Sequence, residues 1–226
     1  MLKHLCYSLI LISILNISQG LMGFKDIEES DVYLMEKISS KIEMDICETS
    51  AKAVYWSSRN AEEEIERIGK RFKEEDCEAI NIEDNFYHMH LKKDNTSMEI
   101  MGVNLEDKSQ ITVKINITEN ENNLMKIEKI LHEYTEIKPG EAKYFKYLKG
   151  KLKHNNIDYY NEEIINILRS YGGSYISSIN IQNGITGTAD IGKGTSKKAV
   201  NLNYSICNYD TGSYLLIGTP ILDEIY

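Results

Sequence analysis

Apolar residues recur along this chain with two different periods, and the segments that carry them are separate. From Asp26 to Cys47, Met35, Ile38, Ile42 and Ile46 stand three and four apart, which predicts the buried stripe of a long helix. Ala51 to Ser57 reads as a strand, rich in Val and aromatic residues. Asn60 then caps a helix whose apolar stripe is Ala61, Ile65, Ile68 and Phe72. Glu62, Glu63 and Glu64 in its first turn and Lys70 and Arg71 in its last match the helix macrodipole. Strands follow at Phe86–Leu91, Met98–Leu105 and Ile111–Ile117. In the last of these Ile111, Val113, Ile115 and Ile117 alternate with Thr112, Lys114 and Asn116, so one face packs and the other is open. Leu124, Ile127, Leu131 and Tyr134 mark another helix, closed near Lys138-Pro139-Gly140.

The order then recurs. Ala142–Leu152 reads as a strand, and Glu162–Tyr171 as a helix with Ile164, Ile165 and Leu168 buried and Gly172-Gly173 at its end. Tyr175–Ile181 and Ile185–Ile191 form a hairpin about the Asn183-Gly184 turn. Val200, Leu202, Tyr204 and Ile206 alternate in a further strand, and Tyr214–Ile217 gives the last. The pattern predicts an α+β protein of two similar β-α-β-β-β(-β) halves, 21–137 and 138–226, forming antiparallel sheet with helices on one face.

Composition adds an address. Lys3 and His4 precede the apolar run Leu5–Ile17, and Ser18-Gln19-Gly20 is a small-x-small cleavage signal, so residues 1–20 read as a signal peptide and the remainder as extracytoplasmic. The run is too short to span a bilayer comfortably, and no other membrane segment is expected. The 226-residue chain carries a formal charge of −9, and cleavage would remove one more lysine and no acid. An acidic domain repels phosphate backbones and anionic lipid surfaces, which sets nucleic acid aside as a partner. Cys6 leaves with the leader, and of Cys47, Cys77 and Cys207 one pair, Cys47–Cys77, could close a disulfide in an oxidising compartment, with all three as free thiols the alternative.

The C-terminal run Lys198–Tyr226 carries a resemblance. Asn201-Leu202 opens a strand, Tyr214 sits in the next, and Gly218-Thr219-Pro220-Ile221 leads into a tail ending at Tyr226. With the leader and the segment Ser50–Asn60, this resembles the YwmB-like proteins of spore-forming Firmicutes, which are described as TATA-box-binding-protein-like on account of their fold. The resemblance implies an extracytoplasmic, internally duplicated α+β fold in an envelope or sporulation setting, and it carries no catalytic residues with it. DNA binding does not transfer. A minor-groove saddle needs basic flanks and Phe wedges, whereas this chain is acidic and has four Phe.

Few motifs point to chemistry. His88-x-His90 places two imidazoles on one strand face, but neither HExxH nor a paired Cys supplies a third ligand, so no metal or other cofactor is expected. Gly187–Gly194 approaches a P-loop yet lacks its Ser or Thr and sits between strands. No G-x-S-x-G occurs, and Cys207 with His132 or His154 is a coincidence of residue types. The open strand face is the better candidate, with His88, His90, Thr112, Asn116, Asn180, Asn201, Asn203 and Ser205 expected on it. Tyr residues crowd the C-terminal half, among them Tyr144, Tyr147, Tyr204 and Tyr214, and suit either wet interfaces or ordinary strand positions. The sequence therefore favours a non-enzymatic binding or scaffolding module whose partner is an envelope protein or cell-wall component. The alternative is an envelope hydrolase or metal-dependent enzyme with a cleft between the halves.

Overall fold

The computed structural model describes residues 28–72, 81–83, 85–138, 140–192, 199–220 and 222. The leader, Cys77 and the loop after Gly192 lie outside them.

The first described element is helix α1 (Glu28–Ile42), whose Met35, Ile38 and Ile42 are buried as the stripe predicts. The helix stops earlier than expected. Glu43 turns into the left-handed region at φ 54°, and β1 (Asp45–Ser57) begins at once. Ile46, which the i+4 spacing assigns to the helix, is a strand residue. Its spacing from Ile42 fits a helix, but it packs on the covered face of β1, set apart from the alternation of Thr49, Ala51 and Ala53 by a register shift between Ile46 and Glu48.

Helix α2 (Ala61–Phe72) follows, with the Asn60 side chain accepting from the Glu62 N–H at 2.8 Å and Ala61, Ile65, Ile68 and Phe72 buried. Then come β2 (Asn81–Glu83), β3 (Phe86–Lys93), β4 (Thr96–Leu105) and β5 (Lys108–Ile117), helix α3 (Leu124–Thr135) and β6 (Ala142–Lys151). Helix α4 (Ile157–Ser170) starts a turn before the expected Glu162, because the Asn156 side chain caps it by accepting from the Tyr159 N–H. With the helix so placed, Ile164, Ile167 and Leu168 are buried, whereas Ile165 is only half-buried. Strands β7 (Gly173–Ile181), β8 (Gly184–Gly192), β9 (Ala199–Tyr209) and β10 (Gly212–Thr219) complete the order.

All ten strands of the described residues join one sheet, in the order β2-β3-β4-β5-β1-β6-β10-β9-β8-β7, every neighbouring pair antiparallel. The protein is thus α+β. Two apolar clusters hold the four described helices to this sheet. Around α2 and α3 lie Ala51, Ala53 and Tyr55 of β1, Met98 and Ile100 of β4, and Ile111–Ile117 of β5. Around α1 and α4 lie Leu148 of β6, Leu215 and Ile217 of β10, and Leu202, Tyr204 and Ile206 of β9. The registers put these strand residues on one face: Ala51 pairs with Ile115, Ile100 with Val113, Thr49 with Leu148, and Leu148 with Ile217. No described helix is long and apolar enough to cross a membrane.

Candidate functional site

The other sheet face carries no described helix, and cross-strand register fixes which residues share it. At mid-sheet His90, Glu99, Lys114, Lys52 and Phe145 lie in line across β3, β4, β5, β1 and β6. The line beside it holds His88, Met101, Thr112, Val54 and Lys143. On the opposite side a third line runs from Lys92 through Ser97, Asn116, Ser50 and Tyr147 to Gly218, and on through Asn203, Thr188 and Ser177. Asn201 and Ser205 flank Asn203 on the same face of β9.

Seven of the eight expected residues therefore share this face. Asn180 does not. It pairs with Ile185, whose side chain points to the covered side. An irregularity between Ser174 and Ser177, with Tyr175 at φ 50°, shifts β7 by one and reverses its alternation. Nor are the seven one cluster. Asn201 is exposed, Asn203 donates to the Pro220 carbonyl, and Ser205 is fully buried, donating to the Ile185 carbonyl at 3.5 Å. These three stand across β6 and β10 from Thr112, Asn116, His88 and His90.

The residues between them are mostly cationic and aromatic, and side-chain polarity alone gave no reason to single them out. Lys52 lies over the Phe145 ring at 4.5 Å, Lys114 over Tyr147 at 5.8 Å, Lys149 over Tyr214 at 5.6 Å, and Lys108 over Trp56 at 4.2 Å. Each ring fixes a long flexible stem against the sheet. The signal was present in Lys143-x-Phe145-x-Tyr147-x-Lys149, since alternate strand residues share a face. Val54, Tyr147, Leu216 and Cys207 on this face are buried, yet they belong to neither helix-backed cluster.

Two of the face's acids, Glu99 and Glu48, have local partners. Glu99 meets His88 Nε2 at 3.0 Å, and this hydrogen bond, against the opposing effect of burial, holds the Glu99 carboxyl below its usual range. Glu48 accepts from the Tyr147 hydroxyl. Burial pushes Lys143 down from the usual lysine value. Asn116 Oδ1 and Gln110 Nε2 are enclosed and have no hydrogen-bond partner among the described residues. At Gly218 the face is crossed by the chain itself. A Cβ there would lie 2.6 Å from Leu222 Cδ2, and Asn203 holds the adjacent Pro220 carbonyl.

On the covered side, beneath the same central strands, is a buried ionic group. Lys146, 2% exposed, follows the register to the helix side and meets Glu128 of α3, with Asp31 of α1 at 3.7 Å. Thr219 donates to Asp31 Oδ2 at 3.2 Å, while Asp31 Oδ1 has no hydrogen-bond partner among the described residues. Burial raises the Asp31 pKa, and the attraction of Lys146 only partly offsets it. A second ion group surrounds Glu64, which is 2% exposed. Burial works to raise its pKa, but hydrogen bonds from Arg67, Arg59 and Tyr55 outweigh this and hold it low.

Among the described residues no three His, Cys, Asp or Glu side chains come together to hold a metal. Cys207 is buried beside Ser205, and Cys47 is half-buried, its thiol pushed up by burial and bonded to the Lys149 carbonyl at 3.4 Å. The expected partner of Cys47, Cys77, lies outside the described residues. No protein-family model matches the chain, and no curated protein matches it.

Proposed function

We propose that the protein is a non-catalytic extracytoplasmic binding module, which engages an envelope protein or cell-wall component through the sheet face that carries no described helix. One observation carries this reading: a sheet with all four described helices on one side, whose opposite side aligns polar, cationic and aromatic residues in register. A face exposed without purpose would be expected to carry scattered solvated side chains. This one instead stacks lysines on rings and encloses amide groups.

We further propose that the halves 21–137 and 138–226 are related repeats of a YwmB-like, TATA-binding-protein-like build. Strand order supports it. The first strand of each half, β1 and β6, pair at the sheet centre, and each is followed by a helix and by four strands that begin at opposite edges and return inward to it.

The test sets identical charge changes on opposite faces. Lys143→Glu lies on the open face and Lys129→Glu on an exposed flank of α3. The wild type and Lys129→Glu should co-sediment with isolated cell envelopes, and Lys143→Glu should not. Equal co-sedimentation of the two variants would refute the reading.

A further inference from the structure

The two edges of the ten-stranded sheet are finished differently. One ends on β2, which is three residues long and carries Glu83. Shortness and charge are common guards against stray strand pairing. The other ends on β7, nine residues without a charge or a proline (Gly-Ser-Tyr-Ile-Ser-Ser-Ile-Asn-Ile), and no described strand lies beyond it. We propose that β7 is a homodimer interface, pairing antiparallel with β7 of a second copy of this chain. The pairing does not depend on the open face being the binding surface.

Backbone geometry selects the register. Ile181 and Gly184 close the turn Gln182-Asn183 and so form a hydrogen-bonded pair, as do Ile179 with Thr186 and Ser177 with Thr188. Ser178 and Asn180 therefore turn their N–H and C=O groups away from β8, toward the edge. The irregularity between Ser174 and Ser177 blunts the start of the strand and leaves Ser177–Ile181 as its regular part. Pairing centred on Ile179 sets Ser178 of one copy against Asn180 of the other, each such pair exchanging both backbone hydrogen bonds. The two-fold axis then passes between the two copies of Ile179. That pair is of the non-hydrogen-bonded kind, in which side chains come closest.

The side chains argue for a second copy as the occupant. Ile179 is 65% exposed and Tyr175 86%, so packing within one chain gains little from either. In this register Ile179 covers its own copy. On the helix side, where Ser178 meets Asn161 of α4, a hydroxyl faces the amide of Asn180. Charge points the same way. The chain carries a formal charge of −9, so two copies repel over much of their surface, and an uncharged strand is where they approach with no like charges opposed. An interface of this extent falls below about 1,200 Å², which makes the dimer reversible. It closes at two copies, because pairing uses up both β7 edges and the β2 edges are guarded. A two-fold axis between antiparallel strands stands perpendicular to the sheet, so the open faces of both copies lie side by side. A repeated ligand would then meet two of them at once.

Sedimentation velocity of the purified protein, taken up to about 1 mM, reads the association. The wild type should pass from monomer to dimer with concentration and go no further. Added salt should leave the dimer unchanged or strengthen it, because it screens the repulsion between two acidic chains. Ile179→Lys should weaken dimerisation at least tenfold by opposing like charges at the axis, and Lys129→Gln on α3 should not change it. Circular dichroism checks that each variant is folded. Amide exchange of the wild type needs no variant: Ser178 and Asn180 should slow as concentration rises. A chain that stays monomeric at every concentration would overturn the proposal and leave the edge to a strand from another protein. A dimer that salt dissolves, that Ile179→Lys leaves intact, or in which Ser178 and Asn180 exchange as fast as in the monomer would overturn it as well.

Discussion

Lys146 shows what a single residue decides in this molecule. Its neighbours Phe145 and Tyr147 belong to the open face, so register alone sends its ammonium group inward, between the two apolar clusters. There it faces Glu128 and Asp31, a placement that residue type does not announce, because a lysine within an alternating strand reads as solvated. Removing it strands two buried carboxylates. Lys146→Met should cost about 3–5 kcal/mol in urea denaturation, against at most about 1 kcal/mol for an exposed lysine such as Lys129. Asp31 behaves in the opposite sense. Its pKa is raised on folding, so its contribution to stability is full at pH below the unfolded value near 3.8 and is lost as pH rises through the folded value. Asp31→Asn should therefore be more stable than the wild type at pH 7, with the gap closing toward pH 4. A variant less stable at pH 7 would show that the Asp31 charge is needed by Lys146.

At the scale of elements, the strands and helices that alternate cleanly were legible. Asn60 and the Ala61–Phe72 stripe defined α2, and Ile111–Ile117 defined the faces of β5. Failures came where one local pattern served two elements. Ile46 fits a helical spacing, but the turn at Glu43 ends the helix before it, and the register shift after it takes it out of phase with the alternation of β1. Asn180 was misplaced because one irregularity at Tyr175 reverses everything after it in β7, and φ is not written in residue type. The candidate face was half legible: its Asn, Thr and His residues follow from alternation, while the lysine–ring stacks need pairing across strands. Close packing also sets residue choice within β8. Gly187 lies under the Tyr204 ring, where a Cβ would come within 2.3 Å of it. Gly187→Ala should destabilise by about 1–3 kcal/mol in thermal or urea unfolding, and a neutral result would mean that the ring shifts freely.

The leader predicts that protein recovered from its native cell begins near Leu21, as N-terminal sequencing would read directly; a chain beginning at Met1 in the cytosol would contradict the address. The surface follows from placing the described helices on one side of a ten-stranded sheet. The most direct test of that surface is amine footprinting of the purified protein, with and without isolated envelopes. Lys52, Lys114 and Lys143 should lose reactivity when envelopes are added, while Lys37, Lys70 and Lys129 on the helices keep theirs. Protection of the helix lysines, with the sheet lysines unchanged, would place binding on the other side of the molecule and contradict it.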